Sequence, residues 1–370
     1  MRAATSEWRA TRCAHPGRAS GSRSRPGHGG GRHEPARPRR GWRSAGRGVP
    51  GLEAAKSSEL GESSKGESSK FSSRWMNVPR VAYHGAPGAF SSLAARELLP
   101  ECEPVACETL ELVTESVAQW RSDLAILPIQ NTLEGTLHDI QDRLVSCGLH
   151  IVGEVNIPVI HCLLALPGTR KEDVKTVLSH SVALAQCSTL LKGMGSVREA
   201  VFDTAYAAKV IKAEGKTDAA AIASKEAAEE FGLEVLAEDV HDKERGQNIQ
   251  RYLLLARDPM EYDAVSTYKT SIVFTLDEGS GQLFKALSVF ALRDMNITKI
   301  ESRPLRANPL LATGEGAPTQ FNYIFYLDYI GHTSEIKCQQ AMRHLQEITP
   351  FFKVLGSYPA ANEAFRVWSS

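Results

Sequence analysis

KTSIVFTLDEGSGQLFKALSVFALRDMNITKIESRP, residues 269–304, changes its apolar period twice, and those changes decide the fold of the C-terminal part of the chain. KTSIVFTL is a β-branched run of strand length, GSG is a turn, and GQLFKALSVFALRDMN repeats its apolar residues at helical spacing. ITKIESRP returns to strand character and stops at Pro304. Beyond a Pro/Gly-rich loop come a strand, FNYIFYLDYI (321–330), a helix, SEIKCQQAMRHLQEI (334–348), and a strand, FFKVLGSYP (351–359). The order βαββαβ is the ferredoxin-like arrangement, expected over 270–360.

Upstream, DPMEYDAVSTYK with Pro259 near its start reads as a linker over 258–269. Before it, over 80–257, short apolar runs alternate with amphipathic segments: RVAYHG, a helix over 89–99, DLAILPI, HIVGEVNIPVIHCLLALPG, VKTVLSH, helices over 182–191 and 204–214, AAIAS and RYLLLAR. Strands alternating with helices predict an α/β body.

The chain has 43 basic and 43 acidic residues, yet twelve arginines and only two acids, Glu7 and Glu34, fall in residues 1–50. This Gly/Pro/Ser/Arg-rich, acid-poor stretch buries too little apolar surface to fold, and over 1–75 it has the composition of an organelle transit peptide. A nucleic-acid-binding tail and a start codon misplaced upstream of Met76 are the alternatives. No stretch reaches the roughly 18 apolar residues of a membrane-spanning helix. The seven cysteines are odd in number, scattered and never in a C-x-x-C pair, which argues against a disulfide framework or a structural zinc and for a reducing compartment. No metal site is expected, because no His, Cys or acid pair sits at ligand spacing on an evident helix.

Four segments of the body carry polar residues at strand ends. GAPGAFS (85–91), ending in Ser91, follows a strand and opens a helix, so its backbone N–H groups are either an anion cradle or an ordinary turn. LPIQNTLEGTLHD (127–139) exposes Gln130, Asn131 and Thr132, where helix capping is the plainer role. SHSVALAQC (179–187) repeats the design with Ser179, His180 and Gln186, and DTAYAAKVI places Thr204 at a helix start that Asp203 is better suited to cap. GQNIQRYLLLAR (246–257) puts Asn248, Gln250 and Arg251 at the mouth of a strand. Ligands of open α/β sheets bind outside strand ends, so Asn131, Thr132, Ser179, Thr204, Asn248 and Arg251 are expected to converge on one cleft. Arg251, permanently charged and bidentate, is the natural carboxylate partner there, with a surface arginine as the alternative. In the smaller module, Glu301, Ser302 and Arg303 before Pro304 form either a solvated face or a reader of the ammonium and carboxylate of an amino acid.

VAYHGAPGAFS, LPIQNTLEG, HCLLALPG, SHSVALAQC, DTAYAA, RYLLLARDP, LFKALSVFALRDMNITKIESRP and VLGSYP occur in an order that resembles the plant-type arogenate and prephenate dehydratases, over about three quarters of the chain. The resemblance implies two α/β lobes similar to type II periplasmic binding proteins, with substrate between them, followed by a regulatory ACT module. It implies loss of hydroxide and CO2 from a cyclohexadienol, giving phenylalanine from arogenate or phenylpyruvate from prephenate. Neither metal nor organic cofactor, and no nucleic acid or membrane partner, is implied. A plastid location is. By motif position, Asn131, Thr132, Ser179, Gln186, Gln250 and Arg251 correspond to catalytic positions, and Ser91, Gln130, Thr204 and Asn248 line the substrate. Gly281 and Leu283, with Glu301, Ser302, Arg303 and Pro304, match the phenylalanine-sensing pattern, which implies an effector site between subunits and a homo-oligomer, dimer or tetramer.

The chain departs from the family at Gln250, where a threonine assists hydroxide departure, and at Gln130, usually a glutamate. His84, Ser181, Val182 and Tyr206 are lesser departures, and Tyr206 either crowds the cleft or packs outside it. Two readings of Gln250 stand: a tolerated hydrogen-bond donor, or the mark of an impaired paralogue that serves as a phenylalanine-sensing partner subunit.

Overall fold

The computed structural model describes residues 78–243, 246–264, 266–305 and 322–361. The basic tail expected over 1–75 and the loop at 306–321 lie outside these residues.

The first lobe comprises β1 (Arg80–His84), α1 (Phe90–Leu98), β2 (Glu103–Cys107), α2 (Leu110–Ala118), β3 (Leu124–Asn131), β4 (Gly135–Thr136), α3 (His138–Ser146) and β5 (His150–Pro158). The chain then crosses into a second lobe of β6 (Cys162–Ala165), β7 (Thr176–His180), α4 (Ser181–Gln186), α5 (Ser188–Met194), β8 (Val197–Val201), α6 (Thr204–Glu214), β9 (Ala219–Ala223), α7 (Lys225–Phe231) and β10 (Glu234–Ala237). It returns through β11 (Ile249–Ala256), which inserts between β3 and β5. One sheet therefore runs β2-β1-β3-β11-β5 with β4 attached to β3, and the other runs β10-β6-β9-β7-β8. The two crossings make a two-lobed α/β body.

The remaining elements are β12 (Tyr268–Thr275), α8 (Gln282–Ala291), β13 (Ile297–Pro304), β14 (Tyr323–Ile330), α9 (Ile336–Glu347) and β15 (Phe352–Pro359). Their sheet, β13-β14-β12-β15, is antiparallel throughout and has the ferredoxin-like order.

The first-lobe sheet is buried on both faces, which is why β3 and β11 read as continuous apolar runs rather than alternating ones. Along β11, Tyr252, Leu254 and Ala256 enter a core shared with the second lobe. Leu253 and Leu255 enter a core shared with Val273, Ile324, Tyr326, Leu355 and Tyr358 of the ferredoxin-like sheet. That sheet lies so close that a Cβ on Gly356 would stand 2.2 Å from the Ile151 carbonyl oxygen.

The helix expected over 182–191 is two helices that break at Cys187. The Asp242 carboxylate causes the restart: it accepts from the Thr189 backbone N–H (2.9 Å) and the Ser188 hydroxyl (2.9 Å), capping α5.

Candidate active site

β3 and β11 run antiparallel with Gln250 opposite Asn131, and this pairing builds the centre of a hydrogen-bonded cluster. Asn131 Nδ2 donates to Asn248 Oδ1 (2.9 Å) and to Gln250 Oε1 (3.2 Å). Asn248 Nδ2 donates to Gln186 Oε1 (3.0 Å), and Gln186 Nε2 donates to Glu134 Oε1 (3.0 Å). The Gln186 oxygen also accepts a hydrogen bond from His161 Nε2 (3.1 Å), because an amide oxygen only accepts. Asn131 Oδ1 closes the loop below it, accepting from the backbone N–H groups of Leu133 (2.8 Å) and Glu134 (3.1 Å). That turn is what places Glu134 beside Gln186. The first lobe thus supplies Asn131, Glu134, Asn248 and Gln250, while Gln186 comes from the second and His161 from the crossing into it.

Burial pushes the His161 imidazole down to about 4, so it is neutral at pH 7 with its proton on Nε2. Its Nδ1 lone pair is buried and has no partner among the described residues. Glu134, exposed at the edge of the cluster, is its carboxylate member. Neither residue is singled out by the sequence reading. Glu134 sits in LPIQNTLEG, where the amides drew attention, and His161 is hidden inside an apolar run, where a histidine reads as core.

Of the residues expected in the cleft, Asn131, Gln186, Asn248 and Gln250 come together, and the others are engaged elsewhere. Thr132 Oγ1 accepts from the Ile249 N–H (2.9 Å) and donates to the Gln247 carbonyl (2.5 Å), pinning β3 to β11. Ser179 is fully buried and donates to the Ile222 carbonyl (2.6 Å) inside the second lobe. Ser91 hydrogen-bonds the buried Tyr252 hydroxyl. Gln130 takes part through its backbone carbonyl, which accepts from Gln250 Nε2 (3.0 Å). Thr204 opens α6, which Asp203 caps by accepting from the Tyr206 N–H (2.9 Å). The same Asp203 oxygen accepts from the Ala86 N–H (3.1 Å), so the GAPGAFS turn meets a carboxylate of the second lobe rather than an open anion cradle. Tyr206 packs on Phe202 (ring centroids 4.3 Å), which in turn meets His84 (6.4 Å), so two of the family departures flank one ring.

Arg251 is a correction. Successive strand residues face opposite sides, so when Gln250 turns to the cleft its neighbour turns to the ferredoxin-like sheet. There its guanidinium meets Glu154 (2.6 Å) and Asp328 (3.0 Å), and it is not a carboxylate partner for a ligand in the cleft. Alternation likewise reassigns the ESRP turn. Glu301 and Arg303 point together at α3, where Glu301 accepts from Gln141 Nε2 (3.0 Å) and meets His138 (3.2 Å), while Arg303 meets Asp142 (3.0 Å). Ser302 and Pro304 occupy the opposite, exposed side of β13. Gly281 and the exposed Leu283 sit at the start of α8, on a different element from the engaged pair.

Chemically, the cluster is an array of neutral amides spanning the two lobes and ending on a carboxylate. Such an array orients polar groups and donates hydrogen bonds to a departing oxygen without presenting a nucleophile.

Residues 81–260 match the prephenate dehydratase family model. The chain is 51% identical over 280 residues to arogenate dehydratase/prephenate dehydratase 2, chloroplastic, of Arabidopsis thaliana, covering 76% of this chain and 72% of that one. Among solved structures it is similar to a prephenate dehydratase from Arthrobacter aurescens in complex with L-Phe (27% identity, TM-score 0.65, 76% and 90% of the two chains). It is also similar to GqqA, described as a quorum quenching acylase (32% identity, TM-score 0.66, 76% and 98%). With this identity, the two lobes, the amide cluster that joins them and the ferredoxin-like module, the chain belongs to the arogenate dehydratase/prephenate dehydratase family of carbon–oxygen lyases.

Proposed function

We propose that the chain converts arogenate to phenylalanine in the plastid, with prephenate as a poorer substrate and phenylalanine as effector of the module at 270–360. The observation that carries this reading is the amide array Asn131–Asn248–Gln186 ending on Glu134. Arogenate and prephenate differ only in an amine against a ketone on the side chain. A carboxylate at the end of an otherwise neutral array favours the ammonium ion by charge, and a ketone gains nothing from it.

In the reaction the ring C–O bond and the bond to the ring carboxylate both break. The electron pair of the latter enters the ring as CO2 leaves, and the hydroxide takes up one proton from solvent to leave as water. Aromatisation drives the step, so the protein orients the substrate and hydrogen-bonds the leaving oxygen. Gln250 Nε2 donates to the carbonyls of Gln130 (3.0 Å) and Arg251 (3.4 Å). The longer bond is the one it exchanges for the leaving oxygen, while Asn131, donating into Gln250 Oε1, strengthens that amide as a donor. Because Gln250 holds both backbone carbonyls at rest, the second reading, an impaired phenylalanine-sensing paralogue, retains a specific observation in its favour.

Glu154, buried between Arg251 and Lys269, and the border it occupies support a regulatory module seated on the catalytic body, and the family's organisation supports a homo-oligomer. The test is kcat/KM on arogenate and on prephenate for the natural chain and Glu134→Gln. The variant keeps an acceptor for Gln186, and a lost charge pair lowers the arogenate value about tenfold while prephenate stays within about twofold. An equal fall on both substrates contradicts the assignment of Glu134 to the ammonium group.

A further inference from the structure

Arg251 has a role that its expected one would have hidden. Its guanidinium donates to Glu154 Oε2 (2.8 Å from Nε), to Asp328 Oδ2 (3.0 Å) and to the Tyr358 hydroxyl (3.0 Å). Glu154 Oε1 accepts from Lys269 Nζ (2.5 Å), and Ser271 Oγ donates to Asp328 Oδ1 (2.6 Å) and lies 2.7 Å from the Tyr358 oxygen. Arg251 and Glu154 belong to the first lobe, and the other four to β12, β14 and β15. All of these groups are buried or nearly so, with the Arg251 side chain 14% exposed.

Adhesion alone does not require this set, because the apolar core shared by the two sheets already supplies it and buried charges are costly unless fully paired. What directional charges add is register. Opposite the Arg251–Tyr252 step it is β3 that bulges, since Arg251 pairs with Gln130 and Tyr252 with Pro128, leaving Ile129 as the extra residue two positions from Asn131, and such bulges re-aim the side chains beside them.

We propose that Arg251 is a positioning residue: the regulatory sheet grips its guanidinium and so holds β11 in register against the bulged β3, which keeps Gln250 opposite Asn131 in the cleft. The inference rests on the reading that the reaction takes place at this cluster. It makes cleft geometry depend on how the regulatory sheet is seated, although no residue of that sheet belongs to the cluster.

The test is a double-mutant cycle in the full chain between Asp328→Asn, a near-isosteric change within the regulatory sheet, and Gln250→Ala. Asp328→Asn lowers kcat on arogenate about tenfold with KM nearly unchanged, the effect of weakening one charged hydrogen bond, and loses most of that effect in the Gln250→Ala background. The same fold-loss in both backgrounds overturns the proposal, since a merely structural role is indifferent to Gln250. Hydrogen exchange supplies a readout independent of turnover: Asp328→Asn accelerates exchange at 131–134, across the cleft, and acceleration confined to β12, β14 and β15 overturns the proposal as well. Absence of arogenate turnover by the natural chain fails the functional reading, and the exchange experiment still decides the positioning claim.

Discussion

Two neighbouring residues of β11 live in opposite environments. Gln250 joins neutral amides at the cleft, where groups must exchange partners when substrate arrives. Arg251 sits among buried charges whose partners hold each other fixed. Burial alone would raise the Glu154 carboxyl, but the Arg251 and Lys269 cations outweigh it and hold it below the usual carboxylate range. At Lys299, close to the same border, burial wins instead and lowers the ammonium's pKa despite the attraction of Asp328 and Glu301. The difference teaches that one strand serves two purposes by the pleat alone: a labile face for chemistry and a locked face for register.

The largest way to break this contrast is Glu154→Ala, which strands the buried Lys269 ammonium and leaves Arg251 with Asp328 as its one carboxylate. It destabilises the chain by about 3–5 kcal/mol, read as a lower urea midpoint, whereas Glu134→Ala on the exposed end of the cluster changes stability by less than about 0.5 kcal/mol. Gly356→Ala attacks the same border without touching a charge. A Cβ there meets the Ile151 backbone, so the sheets must separate, at about 2–3 kcal/mol and with some loss of turnover if seating controls the cleft.

Acid separates the faces by a different route. The folded-state pKa of His161 lies below its unfolded value, so the unfolded chain binds the extra proton between about pH 6.5 and 4, and stability falls as pH falls through that window. Between pH 7 and 5 this amounts to about 2 kcal/mol, which urea titrations show as a pH dependence that His161→Gln lacks. The locked face responds only at lower pH: the depressed Glu154 carboxyl contributes stability that is present above its unfolded pKa of about 4.5 and lost as pH falls below it. A smaller effect than these is expected from Thr132→Val, which removes the hydroxyl that pins β3 to β11 and costs about 1 kcal/mol.

Much of this architecture is legible in the residues because period changes are local. The run at 269–304 shows its strand, helix and strand without help from any distant contact. The break at Cys187 is not legible, since the cap that restarts the helix comes from Asp242, far along the chain. Facing is the other hidden quantity. Asn131 and Asn248, which the structure joins, stand out by strand-end position and Gln186 only by motif position, but Arg251 is reassigned by the pleat and by a sheet packed behind it. Glu301 and Arg303 are reassigned likewise, both landing on α3 because residues two apart share a face. His161 carries no local signal, as only the tertiary fold brings its Nε2 to Gln186.

The central claim is that the amide array is a working catalytic cluster with Gln250 as its donor. The most direct measurement is phenylalanine formation from arogenate by the full chain beside its Gln250→Thr variant. A hydrogen bond from a neutral amide is worth about as much as one from a hydroxyl, so the account predicts natural turnover within about tenfold of the variant's. Turnover by the variant alone would contradict it and leave the chain a phenylalanine-sensing partner whose cleft has lost its chemistry.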